Sequence, residues 1–316
     1  MAGPGGVTVP AGTPVLVTGA TGLIGSHLLR ALGPDADVVA VSRAERPSSD
    51  AVRWVACDIG EPGAIAGVVE SHRPQVIFHL AGAVRGDRTL GAVAPTLRAN
   101  LVGTVELLEA AARAGCERIV MTGSFLEEPA GAVNQPVPPS PYGASRWAAS
   151  AYGRMFHALF DTPVVNLRPS FAYGPGQELT KLVPHVTTAL LQGRSPELSS
   201  GERRLDFVYA EDVAHAYIAA ASASSVEGRT IDVGRGVLTS VREVVELIVE
   251  YVGPSAGSPE FGALAPRALE QELEVDVDET ARVLGWRATT DLQEGLRRTV
   301  EWFRANTKEP LALIRS

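Results

Sequence analysis

A chain of 316 residues, 45% hydrophobic and 20% charged, is too apolar for a disordered polypeptide and long enough for one large α/β domain or two modest ones. Its net charge of −8 argues against nucleic acid or an anionic membrane as a partner. No apolar run approaches a membrane span, the start has no signal-peptide pattern, and Cys57 and Cys116 stand apart without metal-ligand spacing, so a cytoplasmic protein with reduced thiols is expected.

In chain order, Pro14–Thr18 reads as a buried strand, and Leu23–Leu32 follows with apolar residues at helical spacing. Strands are predicted at Asp37–Ser42, Val52–Ala56, 75–80, Arg118–Thr122 and 164–167. Helices are predicted at 61–71, 96–114 and Pro141–Phe160. This alternation implies right-handed crossovers and a parallel sheet covered by helices on both faces. After Pro169 the pattern changes, with Pro and Gly clustered at Gly174, Pro175 and Gly176 and a helical stretch at 179–191. Strand-like pieces at 206–208 and Thr230–Val233 flank a helix beginning near Glu211, and the rest to about Asn306 is mostly helical.

Gly19-Ala20-Thr21-Gly22-Leu23-Ile24-Gly25 lies directly after the first strand and opens the first helix. Gly19 permits a tight turn, Gly22 lets backbone approach a pyrophosphate, and Gly25 lets helix and strand pack closely. The free amides at the helix start, around Thr21, Leu23 and Ile24, suit an anion. These features define a dinucleotide fingerprint and predict a Rossmann-type doubly wound parallel sheet with a smaller, discontinuous C-terminal substrate lobe. The expected organisation is a lead-in arm at 1–13, an NAD(P)-binding domain at 14–168 completed by about 205–235, a substrate-binding lobe at 169–204 and 236–306, and a tail at 307–316.

At the end of the second strand an acidic residue would bind the 2′-hydroxyl of NAD, but this chain has Val41-Ser42-Arg43. Ser42 can donate to a phosphate and Arg43 can pair with it, so NADP is favoured over NAD. Asp58, after the third strand, reads either as an adenine contact, with Ile59 beside it, or as a helix N-cap.

Ser124 follows the fifth strand, Tyr142 opens the next helix, and Arg146 is one turn further on the same face. A fixed positive charge beside a tyrosine favours its phenolate. Tyr142 is thus a candidate acid and base for a carbonyl or hydroxyl exchanging hydride with a nicotinamide, with Ser124 holding the same oxygen. The histidines show no metal-ligand spacing, so no metal is expected. His79, at a strand end, is expected to pack or hydrogen-bond beside the cofactor.

In these motifs the chain resembles the NAD-dependent epimerase/dehydratase family, extended short-chain dehydrogenases that modify nucleotide sugars. The resemblance runs from about Pro14 to Phe303. It includes Phe78-His79-Leu80-Ala81-Gly82, Asn100 with Gly103-Thr104, and Pro141-Tyr142-Gly143-Ala144-Ser145. It continues through Leu167-Arg168-Pro169, Tyr173-Gly174-Pro175-Gly176, Asp206-Phe207-Val208-Tyr209, Asp212-Val213-Ala214 and Leu284-Gly285-Trp286. The resemblance implies that Leu80, Ala81, Gly82, Asn100, Tyr142 and Arg146 line the cofactor. It also implies a nucleotide-sugar substrate near Ser124, Phe171, Leu182, Val183 and Arg204, and a homodimer built on the helices at 96–114 and Pro141–Phe160.

Three departures bear on the reaction. Arg146 stands where the family has lysine, and Phe171 stands where it commonly has an asparagine near the substrate diphosphate. The acidic pair typical of the dehydratases is replaced by Gly123-Ser124-Phe125, with Glu127 and Glu128 only later. The expected function is therefore a keto-sugar reductase or epimerase using Tyr142. The alternatives are a reductase of another small metabolite, through Phe171, and a catalytically weak dinucleotide-binding protein, through Arg146.

Overall fold

The computed structural model describes residues 9–306 apart from 85–87, 128–136, 255 and 266–271. Strand β1 (Pro14–Thr18) runs through the glycine turn into α1 (Leu23–Leu32), followed by β2 (Asp37–Ser42), β3 (Val52–Ala56), α2 (Ala64–His72) and β4 (Val76–His79). Helix α3 (Leu90–Leu97) passes through a π-helical turn at Arg98–Val102 into α4 (Gly103–Ala114) and β5 (Arg118–Thr122). Then come α5 (Pro141–Phe160), β6 (Val164–Pro169), β7 (Phe171–Tyr173), α6 (Leu182–Leu191), β8 (Glu197–Leu198), β9 (Arg204–Tyr209) and α7 (Ala210–Ser222). The chain continues with β10 (Thr230–Val233), β11 (Leu238–Ser240), α8 (Val241–Val252), β12 (Glu260–Phe261), α9 (Val277–Leu284) and α10 (Leu292–Asn306).

Seven strands form the central sheet in the order β3-β2-β1-β4-β5-β6-β10, every neighbouring pair parallel. The connections reverse direction between β1 and β4, so a crevice opens at the carboxyl ends of these strands, where α/β sheets bind ligands. Alternate residues of β1 feed two separate cores: Val15 and Val17 pack toward α7, whereas Leu16 packs with residues of α2, α4 and α5. A third core joins Tyr173, Val183, Leu205, Phe207, Val244 and Leu296 from the later segments. Above it, β7 and β11 flank β9 in a small sheet, and β8 pairs with β12.

The central strands and their helices follow the periodicity. The helix expected at 96–114 instead begins at Leu90, because Pro95 lies inside it and the chain continues through it. Proline lacks the N–H that would bond one turn back, and the ladder then loosens into the π-helical turn before tightening again at Gly103. The short strands β7, β8, β11 and β12 have too few residues to display a period of two.

Candidate active site

The glycine turn is sterically closed to side chains. Gly19 has φ +67, and a Cβ there would lie 2.6 Å from the Ala81 nitrogen in the loop after β4. A Cβ on Gly25 would collide with the Gly19 carbonyl oxygen, so only glycine lets α1 start this close to β1. No side chain caps the first amides of α1 and no acid stands in its first turn. Thr21 and Gly22 are exposed, with Leu23 and Ile24 half-buried behind them. This bare, positive helix end fits the pyrophosphate of a dinucleotide.

Beside it, the exit of β4 is pinned by a one-way chain of hydrogen bonds. Ala81 N–H donates to Thr18 Oγ1 at 3.2 Å, and His79 lies 2.8 Å from Thr18 Oγ1 through Nδ1 and 2.9 Å from Thr104 Oγ1 through Nε2. Thr104 gives its own proton to the Asn100 carbonyl at 2.8 Å, so His79 Nε2 must donate and Nδ1 must accept. Burial, with the nearby Arg146 charge adding to it, lowers the His79 pKa to about 3. His79 is a neutral strut. Asn100 is fully buried in the π-helical turn, where its Oδ1 accepts Ala83 N–H at 2.6 Å and its Nδ2 donates to Ser145 Oγ at 3.0 Å. The side chain thus holds the loop after β4 against α5.

Helix α5 begins where Ser140 Oγ accepts Gly143 N–H at 3.1 Å and Pro141 occupies the first turn. Tyr142, Arg146 and Ser150 then repeat every four residues along one face. Arg146 is 1% exposed. Its guanidinium donates through Nη1 to the Thr122 carbonyl at 2.9 Å and through Nη2 to the Ala81 carbonyl at 3.1 Å, tying β5 to the loop after β4. A Cβ on Gly82 would collide with this guanidinium, so the glycine in that loop makes room for it. Among the described residues Arg146 has no carboxylate in ion-pair contact and its buried Nε has no acceptor, and its Cζ sits 5.7 Å from the Tyr142 ring centroid. The planar fork suits this position, because separate nitrogens of one guanidinium reach two carbonyls on separate segments.

Ser124 is buried at the exit of β5, and its Oγ accepts Leu126 N–H at 3.2 Å, with no acceptor for its own proton among the described residues. Behind it the fully buried Tyr217 donates to Thr122 Oγ1 at 2.7 Å. The structure therefore brings Ser124, Tyr142, Arg146 and the glycine turn to one edge of the sheet.

Other expected residues are placed differently. The Ser42 hydroxyl is buried and donates to the Ala44 carbonyl, and exposed Arg43 makes no ion pair among the described residues. Asp58 is exposed and accepts Gly60 N–H at 2.9 Å; the N-cap of α2 is Gly63, which corrects the capping alternative. Ile59 is buried beneath it. Phe171 packs its ring 6.3 Å from Phe125 and 5.1 Å from Phe207, making an aromatic wall beyond Ser124. Leu182 is half-buried, but Val183 is 1% exposed and belongs to the third core, so its side chain is not available to a substrate. Arg204 donates through Nε and Nη2 to Glu272 Oε2 at 3.1 and 3.0 Å on the surface, an ion pair between distant segments that sequence spacing does not reveal. Glu128 lies outside the described residues. A separate acidic cavity of about 250 Å³, lined by Glu211, Asp212, His215, Asp291 and Glu294 among others, shares none of these residues.

Sequence reasoning missed the use of Glu127, which is 3% exposed and accepts Ser124 N–H at 2.8 Å. Burial raises its pKa, opposed by the Ser150 hydroxyl, the Ser124 amide, and the charges of Arg168 and Arg146. Its only sequence signal was an acid shortly after a strand end.

The sheet order and the glycine turn define a Rossmann-type dinucleotide-binding fold. The model of the NAD dependent epimerase/dehydratase family matches residues 15–234, and the chain belongs to that family. It is 33% identical to UDP-glucose 4-epimerase of Mycolicibacterium smegmatis, over 92% of this chain and 98% of that one. It is 29% identical to dTDP-glucose 4,6-dehydratase of an Actinoplanes strain, over 92% and 98% of the two chains. Among solved structures it resembles MoeE5 in complex with UDP-glucuronic acid and NAD, with a TM-score of 0.82, 31% identity, and coverage of 93% of this chain and 99% of that one.

Proposed function

We propose that this chain is an NAD-dependent 4-epimerase of UDP-linked hexoses or hexuronic acids. The observation that carries the reading is the edge where Ser124, with a free hydroxyl proton, and Tyr142, stacked by Arg146, stand beside the glycine turn. The nicotinamide, when bound, supplies a two-electron acceptor and donor of hydride. Tyr142 takes the proton of the sugar 4-hydroxyl as that carbon loses hydride, and returns it when hydride comes back on the other face. Ser124 donates to the same oxygen while it carries carbonyl character. Glu127 is bound internally to Ser124, so it offers no free acid for eliminating water, which argues against the dehydratase branch. In this reading the segments 169–204 and 236–306 form the substrate lobe, with Phe171 as an apolar wall in place of a polar anchor. Incubating the protein with NAD and either UDP-glucose or UDP-glucuronic acid should yield the 4-epimer, read by proton NMR. Recovery of unchanged substrate in both cases would sink the proposal.

The NADP preference expected from Ser42 and Arg43 gains no support from MoeE5, whose complex holds NAD. We assign NAD to the cycle and give Arg43 a narrower part, that of tolerating a 2′-phosphate where an acid would repel it. Arg43→Ala should weaken NADP by about tenfold, the scale of one exposed charge-assisted contact, and leave NAD within about twofold. Equal losses in fluorescence titrations of both cofactors would remove Arg43 from the site. A reductase of keto sugars is the reading that survives if NADPH is consumed stoichiometrically instead.

We also propose a homodimer through α3, α4 and α5. Leu90, Val93, Leu97 and Val102 are exposed along α3 and the π-helical turn, and Trp147 and Tyr152 are exposed on α5. Light scattering at micromolar concentration should give twice the chain mass, whereas a monomer would exclude this interface.

A further inference from the structure

Three consecutive residues at the exit of β5 are gripped at both ends. Arg146 Nη1 donates to the Thr122 carbonyl at 2.9 Å, and Ser124 N–H donates to Glu127 Oε1 at 2.8 Å. Between them, a Cβ on Gly123 would collide with Glu127 Oε1 and lie 2.8 Å from Asn166 Nδ2, so a side chain there would push the carboxylate out. The carboxylate is also tied to α5: the Ser150 hydroxyl bonds Glu127, and Asn166 Nδ2 donates to Ser150 Oγ at 2.8 Å. Ser150 is one helical turn beyond Arg146, so one face of α5 engages the β5 exit directly through Arg146 and indirectly through Glu127.

We propose that Glu127 is a positioning residue: its buried carboxylate fixes the peptide that presents the Ser124 hydroxyl and, with Arg146, clamps the β5 exit from both ends. This rests on the reading of Ser124 as the hydroxyl donor to the sugar oxygen. Glu127 touches neither cofactor nor substrate and moves no proton. Its part is to keep the Ser124 peptide from rotating, because a buried amide accepts loss of its partner only by turning toward another. The carboxyl also lies close enough to Arg146 and Arg168 to interact electrostatically with both.

The test has two arms, one of which needs no activity. In the cofactor-free protein, Glu127→Ala should speed hydrogen exchange of the Ser124 amide by about tenfold or more, with the amides of β4 and β6 unchanged. Glu127→Gln retains an acceptor oxygen and should keep that amide within about threefold of wild type. In turnover, Glu127→Ala should lower kcat by about tenfold with KM within about twofold, Glu127→Gln should recover most of it, and Glu127→Ala should cost nothing further in a Ser124→Ala background. Unchanged exchange at Ser124, or a kcat loss that adds in full to that of Ser124→Ala, would overturn the proposal. If the wild type turns over no nucleotide sugar, the functional reading falls, while the exchange arm still decides the clamp.

Discussion

Tyr142→Phe should lower kcat by about a hundredfold or more, the scale of losing a positioned general acid and base. The substitution removes one oxygen and keeps the ring that rests against Arg146, with 5.7 Å between Cζ and the ring centroid. Substrate binding and thermal stability should therefore change little, and the loss should appear in kcat with KM within about threefold. The neighbouring histidine offers no substitute. His79, with its pKa lowered to about 3 by burial, stays neutral above that pH and both its nitrogens are engaged, so it gives no limb to the rate profile between pH 5 and 8. A Tyr142→Phe enzyme within tenfold of the wild-type rate would move the proton transfer to another group.

The second large effect belongs to Arg146. Arg146→Met should cost about a hundredfold in kcat by withdrawing the positive charge beside Tyr142. It should also destabilise the fold, because the Thr122 and Ala81 carbonyls lose their donors in a buried setting, each at about 1–3 kcal/mol. Arg146→Lys restores the family residue and the charge but loses the fixed fork that bonds the Thr122 and Ala81 carbonyls. It should keep activity within about tenfold and lose about 1–2 kcal/mol of stability, read as a lower urea midpoint. Wild-type turnover by folded Arg146→Met would make this residue purely structural and dissolve the proposed pair.

The sheet and the cofactor turn were legible because each leaves a short-range pattern. Alternation of β-rich and helical periods sets the parallel sheet, and the spacing of Gly19, Gly22 and Gly25 marks the turn, although the collision that requires Gly19 comes from Ala81 on another strand exit. Tyr142 and Arg146 were legible for the same reason, since a helix puts residues four apart on one face. What the guanidinium does there was not, because its partners Ala81 and Thr122 come from two other segments. The pairing of Arg204 with Glu272 and the packing of Val183 in a core whose members span Tyr173 to Val300 were not legible either, because both join distant segments. Glu127 went unassigned because an acid following a strand looks solvated until Ser150, Asn166 and Gly123 are known to enclose it.

The central claim, that hydride leaves and returns to the same sugar carbon with Tyr142 moving the proton, is tested most directly by isotope. UDP-glucose and UDP-glucuronic acid carrying deuterium at C4 would be incubated with the protein and NAD in ordinary water, and the 4-epimer examined by NMR and mass spectrometry. The product should keep its deuterium at C4, NAD should not be consumed, and Tyr142→Phe should slow the exchange of epimers by about a hundredfold. Deuterium lost to solvent, or appearing in released reduced cofactor at one equivalent per sugar, would contradict that claim.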